Sequence, residues 1–176
     1  MPAALQIAPL SLAPGTVAAL AEILIEVVAN GGSVSFMHPL SRADAEAFWT
    51  RSLAAADAGQ RIVLGASVEG EIAGTVTLDL DGPPNQPHRA DIAKLMTGLR
   101  HRGQGVARTL MVEAERQAVA AGRTLLTLDT AEEDGAAGLY EALGYEYVGT
   151  IPDYALKPLG GLTGTKIYFK RIGAPG

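Results

Sequence analysis

The sequence predicts a mixed α/β (α+β) fold, a twisted sheet with helices on both faces. Three observations predict it. A strand, a glycine-rich turn, a helix and a second strand follow one another over residues 89–129, which requires two parallel strands joined by a right-handed crossover. Apolar segments on either side of that unit are separated by short turns and read as antiparallel hairpins. Two helical segments near the start supply a further layer. The 176 residues fit a single domain spanning 1–176, long enough to bury a full core without cross-links.

In order along the chain, Leu5–Leu10 alternates weakly and reads as a first strand. Pro14-Gly15 opens a helix to about Ala29, with Leu20, Ile23, Leu24, Val27 and Val28 on one stripe, and Asn30-Gly31-Gly32 ends it. The loop SVSFMHPL leads to Ser41, the N-cap of a second helix to about Ala58 that holds Phe48 and Trp49. Arg61–Val68 and Ile72–Leu80 flank Glu69-Gly70-Glu71 as a hairpin, and Asp81–Pro87 is a turn-rich loop. Arg89–Met96 is a strand, Gln104–Ala121 a helix stopped by Gly122, Thr124–Asp129 a buried strand, and Asp134–Leu143 a short helix ended by Gly144. Tyr145–Ile151 and Thr165–Arg171 form a final antiparallel pair, joined by a lid-like loop, IPDYALKPLGGLTG.

The richest stretch is Arg100-His101-Arg102-Gly103-Gln104-Gly105-Val106-Ala107, where a strand hands over to the long amphipathic helix. Its glycines bare the backbone, so the first N–H groups of the helix can close on an anion, and the helix dipole adds roughly half a positive charge there. Arg100 and Arg102 stand beside that seat for phosphate, with Arg108 nearby. A dinucleotide site is the main rival, since strand, GQG, helix and a strand ending in Asp129 imitate a Rossmann unit. Against it, the third glycine of G-x-G-x-x-G would fall at Arg108, the loop lies late in the chain, and the upstream hairpin is antiparallel. No Gly-Lys-Ser/Thr follows the glycines, which excludes a P-loop.

With Arg102, Gly105 and Ala107 at its fixed positions, this run resembles the acyl-CoA-binding signature of the GNAT superfamily of N-acyltransferases. The likeness continues through Leu125–Thr130, AAGLYEALGYEYVG and TGTKIYFK, covering the second half of the chain well and the first half loosely. Four phrases, SVSFMHPL, HRADIAKLM, LLTLDTAEEDGAAGLY and IPDYALKPLGG, are similar to the group that includes the tabtoxin resistance acetyltransferase. The resemblance implies the GNAT fold, with a central parallel strand–helix–strand unit for acyl-CoA. It implies acetyl-CoA as co-substrate, held at Arg102, Gly103, Gln104, Gly105, Val106 and Ala107. In that superfamily the strand before the phosphate loop splays from its parallel neighbour. Backbone groups near Leu95, Met96 and Thr97 would then bond pantetheine, and one N–H would serve the oxyanion.

Acyl transfer to an amine needs a base, since an alkylamine titrates near ~10, and an acid for the departing thiolate. Without cysteine, no thioester can pass through the protein, and direct attack in a ternary complex is the expected route. Asp91 interrupts the apolar strand residues Ala90, Ile92 and Ala93; it reads either as a pair with Arg89 or Lys94, or as a base or ammonium anchor. The resemblance also puts an acid at that position. Asp129 ends the next strand, at the edge where open α/β sheets bind ligands. Tyr140, in GLYEALGY, carries a phenol suited to the acid, and the resemblance implies that role. Phe36, His38 and Trp49, with Asp153 and Tyr154 of the lid, are the candidate acceptor contacts, and Met37 lies beside them.

Composition narrows the partners. A net charge of −5 argues against a general nucleic-acid binder, and the three histidines lack metal-ligand spacing, so no metal is expected. The most apolar stretch, Val17–Ala29, is too short for a membrane span and is broken by Glu22 and Glu26; with no targeting segment evident, a cytoplasmic chain is the expectation. The expected activity is acetylation of a primary amine on a small molecule. A protein or peptide amine, or a coenzyme A sensor without turnover, are the alternatives. Relatives of this kind pair through their C-terminal strands, which makes a homodimer an expectation too.

Overall fold

The computed structural model describes residues 4–173. A seven-stranded sheet runs in the order β1-β2-β3-β4-β5-β7-β6. Its strands are β1 (Leu5–Pro9), β2 (Arg61–Val68), β3 (Glu71–Asp79), β4 (Arg89–Thr97), β5 (Leu125–Ala131), β6 (Glu146–Leu156) and β7 (Leu162–Arg171). β4 and β5 are parallel, and the other neighbouring pairs are antiparallel. Helices α1 (Pro14–Ala29) and α2 (Arg42–Asp57) cover one face, where Leu20, Leu24, Trp49 and Leu53 pack with Val63 and Met96. Helices α3 (Val106–Ala120) and α4 (Ala137–Ala142) cover the other, where Leu110, Met111 and Tyr140 pack with Leu126 and Tyr168. The expected mixed sheet with helices on both faces is therefore the observed one. Among the described residues no helix is long and apolar enough to cross a membrane.

Local chemistry sets the helix ends. Pro14 occupies the first turn of α1, where its missing N–H costs nothing. At the other end Gly31 takes a φ of 87°, and the N–H groups of Gly31 and Gly32 return to the carbonyls of Val28 and Val27. Ser41 caps α2 by accepting from the Asp44 N–H at 3.1 Å. Helix α3 begins two residues later than the pattern predicts, because Gly103 and Gly105 have φ of 72° and 80° and cannot belong to a right-handed helix. The short helix also starts late, at Ala137 rather than Asp134, and a single 3₁₀ turn at Leu99–His101 was not anticipated.

The largest departure is at the end of the chain. Most of the segment expected as a lid is strand: β6 and β7 run on as a hairpin whose turn closes with Lys157 N–H donating to the Gly161 carbonyl at 2.8 Å. Pro152 hides this in the sequence, but β6 lies at the sheet edge, where a missing donor is tolerated. Register slips between Ile151 and Ala155, around Asp153 at φ 52°, disguise the alternation further.

Two irregularities of β4 shape everything downstream. Its ladder with β5 is confined to Arg89–Leu125, Ala90–Leu126 and Asp91–Thr127, and beyond Asp91 the two parallel strands part. On its other edge, Ala93 pairs with Thr77 and Met96 with Thr75, so β4 carries one extra residue there. Lys94 lies in that bulge with φ 54°. Opposite, Gly74 of β3 lets the start of α3 approach the sheet: a Cβ there would sit 2.8 Å from the Met96 carbonyl oxygen and 2.8 Å from Val106 Cγ1.

Candidate active site

Where β4 and β5 part, a cavity of about 500 Å³ opens. Residues 92–97 of β4 form one wall, and Asp129, Thr130 and Ala131 of β5 the other. The segment after α1, Tyr140 of α4, and residues 154–156 and 163–165 of the final hairpin also line it. Leu95, Met96 and Thr97 all border this space, and so do Phe36 and Tyr154. Its size suits one elongated ligand.

One end of the cavity reaches Arg102, just ahead of α3. No side chain caps that helix at Gly105. Thr109 N–H returns to the Gly105 carbonyl at 3.0 Å, so the Val106, Ala107 and Arg108 N–H groups precede the first intrahelical bond. Gly103, Gln104 and Gly105 are exposed, which leaves this amino end open to an anion. Arg100 turns aside to Glu71 at 2.7 Å, and its charge is offset at the surface. The loop is tied to α1 by Glu26, whose carboxylate accepts the Leu99 N–H at 3.1 Å.

Away from Arg102, Asp129 and Tyr140 both border the cavity. Asp129 accepts from the buried Thr165 hydroxyl at 2.9 Å, which fixes one carboxylate oxygen. Tyr140 is 6 % exposed and wedged among aromatic rings, with centroids of Tyr145 and Tyr168 at 6.0 and 5.9 Å. The end of α4 explains its fixed place. Gly144, at φ 86°, turns the chain so that the Tyr145 N–H meets the Tyr140 carbonyl at 3.0 Å and the two rings pack. Burial, and then the nearby Asp134 and Asp129 charges, push the Tyr140 phenol up to about 12. It stays protonated at neutral pH. Burial likewise raises the Asp134 carboxyl, against a hydrogen bond from the Ser33 backbone that lowers it.

Four of the candidates read from the sequence lie elsewhere. Asp91 is half exposed and off the cavity lining, because its carboxylate is engaged by Arg89 and the Thr127 hydroxyl. That is the pairing with Arg89 that its position also allowed. Trp49 is fully buried in the core beneath α1 and α2, with Phe48 edge-on at 5.0 Å, and contributes packing rather than pocket wall. His38 is exposed and off the lining; its N–H donates to the Pro158 carbonyl at 3.1 Å, so its backbone ties the loop after α1 to the final hairpin. Asp153 sits exposed in the β6 irregularity, outside the lining.

Lys94, which the sequence offers only as a partner for Asp91, lines the cavity. The bulge carries its amine to the Ser35 hydroxyl at 3.2 Å and over the Phe36 and Phe48 rings at 5.9 and 5.8 Å. Burial lowers its pKa, while Asp129 raises it and Arg61 lowers it. The signal in the sequence was a lone cation among Ile92, Ala93, Leu95 and Met96; an alternating strand gives no hint of the bulge that aims it.

A parted pair of parallel strands leads here to an uncapped helix amino end whose N–H groups are open to an anion. Residues 28–145 match the family model for the acetyltransferase (GNAT) family. The chain belongs to the GNAT family. Solved structures agree on the fold. A GCN5-related N-acetyltransferase from Kribbella flavida matches with a TM-score of 0.80 at 22 % identity, covering 96 % of this chain and 98 % of that one. A ribosomal-protein-alanine N-acetyltransferase from Brucella melitensis gives 0.79 at 21 % identity, covering 95 % and 99 %. The Salmonella typhimurium protein yncA, solved with its cofactor acetyl-CoA, gives 0.76 at 16 % identity, covering 96 % and 94 %. This GNAT chain is thus an acetyltransferase whose acyl donor is acetyl-CoA, and the open amino end of α3 fits the donor's phosphates.

Proposed function

We propose that this chain transfers the acetyl group of acetyl-CoA to a primary amine of a small molecule by direct attack in a ternary complex. The observation that carries the reading is that Asp129 and Tyr140 border one cavity, between the parted strands. Acetyl-CoA supplies the acyl group as a thioester. The backbone of Gly103 to Ala107 and the Arg102 guanidinium bind the phosphates, and backbone groups of Leu95, Met96 and Thr97 take the pantetheine amides and the carbonyl oxygen. Asp129, its second oxygen held by Thr165, orients the acceptor ammonium and draws its proton toward water. Tyr140 presents a retained proton at Oη, the state required of the acid that quenches a thiolate. Asp91 has no part, since Arg89 and Thr127 occupy it.

A small acceptor is favoured by the way the roof is fastened. The loop after α1 meets the final hairpin through His38 and Pro158, and Lys157 pairs with Glu133 at 3.2 Å across the loop before α4. Those ties fasten segments that border the cavity and narrow the room for an extended chain. The edge strand β6 exposes Tyr147, Val148, Ile151, Tyr154 and Leu156, which supports pairing of two copies through this edge. The test of the reaction is release of free thiol from acetyl-CoA with panels of small primary amines and of peptides. The reading expects release with members of the first panel. Release confined to peptides would overturn the small-molecule assignment, and binding of acetyl-CoA without release in either panel would overturn transfer itself.

A further inference from the structure

We propose that Lys94 forms a subsite for an acidic group, so that the acceptor carries a carboxylate, phosphonate or sulfonate in addition to its amine. This rests on the small-amine reading above. A half-buried ammonium is costly unless something pairs with it. Lys94 Nζ has the Ser35 hydroxyl and two aromatic faces as neighbours, and among the described residues no carboxylate lies within ion-pair distance of it. The charges that reach it, Asp129 and Arg61, act from further away. One hydroxyl leaves the ammonium with donors to spare, and the residue borders the cavity.

The backbone makes the placement costly to explain as packing. A non-glycine residue at φ 54° inside a strand is disfavoured, and a flat strand would pair this position with β3 instead of carrying an extra residue. The position also lies on the acceptor side. Ser35, Phe36 and Phe48 belong to the segment after α1 and to α2, whereas the phosphate seat lies toward Arg102 and α3. Asp129, Glu133 and Asp134 border the same cavity from the other side. Cation on one wall and carboxylates on the other match a zwitterion: its ammonium toward Asp129, its acid toward Lys94.

The experiment compares matched acceptors in the intact protein. Thiol release is followed for amino acids, aminophosphonates and aminosulfonates, each beside the carboxamide or the plain amine of the same skeleton. Wild-type protein is expected to favour the acid member in kcat/KM by tenfold or more. Lys94→Met, which keeps the aliphatic stem against the rings, should collapse that ratio to within about twofold, and Lys94→Arg should restore part of it. Calorimetric titration of the acid probes into coenzyme A-loaded protein gives a second readout, in which Lys94→Met weakens binding tenfold or more. Equal turnover of acid and neutral members by the wild type, or an acid preference surviving in Lys94→Met, would overturn the subsite while leaving the transfer reading intact. Binding of acids that depends on Lys94 without any thiol release would support the subsite and sink the transfer reading. Acids that neither bind nor react would overturn the subsite, and no thiol release with the neutral amines as well would overturn both.

Discussion

Placing a methyl group on Gly74 tests whether the contact between β3 and the start of α3 sets the phosphate seat. The added Cβ would lie 2.8 Å from the Met96 carbonyl oxygen and 2.8 Å from Val106 Cγ1, both closer than real Cβ contacts come. The first is backbone of the bulged strand, and the second belongs to the first residue of α3, so neither can rotate away cheaply. Relief requires the amino end of the helix to move outward. Overpacking of this kind costs about 1–3 kcal/mol, and in a domain of this size each kcal/mol lowers Tm by roughly 2–4 °C. The same displacement carries the Val106, Ala107 and Arg108 N–H groups off their target. Losing one hydrogen bond to a charged group, about 1.5–3 kcal/mol, weakens acetyl-CoA binding roughly tenfold or more. Gly138→Ala is the control, because nothing lies within 4 Å of the Cβ it would add. Thermal melts and calorimetric Kd values for both variants read the two effects together. A Gly74→Ala protein with unchanged Tm and unchanged Kd would refute the reasoning, and so would an equal loss in Gly138→Ala.

Four further expectations follow from the same geometry. Tyr140→Phe should lower kcat at least tenfold with the acetyl-CoA Kd within about twofold, measured by thiol release and calorimetry; an unchanged kcat removes the acid role. Asp129→Asn should lower kcat/KM for the amine by about tenfold or more, whereas Asp91→Asn should stay within about twofold, and the opposite ranking would return Asp91 to the site. The folded Tyr140 keeps its proton to about pH 12 while the unfolded phenol ionises near ~10, so the stability present below pH 10 is lost as pH rises toward 12. That loss amounts to at most ~3 kcal/mol, and urea midpoints should fall less steeply with alkali in Tyr140→Phe. Trp49→Ala should cost about 3–5 kcal/mol in urea unfolding; a rise in amine KM at full stability would instead make Trp49 a pocket residue.

The parts of this protein that repeat a simple period were legible in its sequence, and those built on exceptions were not. The stripe Leu20, Leu24 and Val28 and the face Leu110, Met111 and Ala114 identify α1 and α3 because each period returns the same side to the core. The glycines before α3 reveal an open amino end because the need for a left-handed backbone is written in the residue type. By contrast, the bulge that aims Lys94 is made by a lysine, a residue that does not advertise left-handed backbone, and by a register slip that exists only between two strands. Asp91 and Asp129 are chemically the same residue on adjacent parallel strands. What separates them is place and neighbour: Asp91 lies within the ladder beside the Arg89 guanidinium, and Asp129 lies beyond the point where the strands part, held by a threonine hydroxyl from β7. The continuation of the final hairpin into its connecting segment is illegible for a related reason, since Pro152 and the slips of β6 erase alternation at an edge that tolerates them.

The proposed acid role of Tyr140 has an energetic difficulty that the cavity itself helps to resolve. A phenol near 12 giving its proton to a free thiol anion of pKa about 8.5 moves uphill by ~5 kcal/mol. Burial is the main cause of the raised value, and a ligand filling the cavity does not relieve it. The lesser causes, Asp134 and Asp129, are charges that an acceptor ammonium would offset, which lowers the phenol as the complex forms. Burial beside Tyr140 also disfavours charge on a sulfur leaving there, and raises the affinity of that thiolate for a proton. Acid and base therefore shift in the same direction, and the difference between them, which sets the uphill cost of the transfer, shrinks.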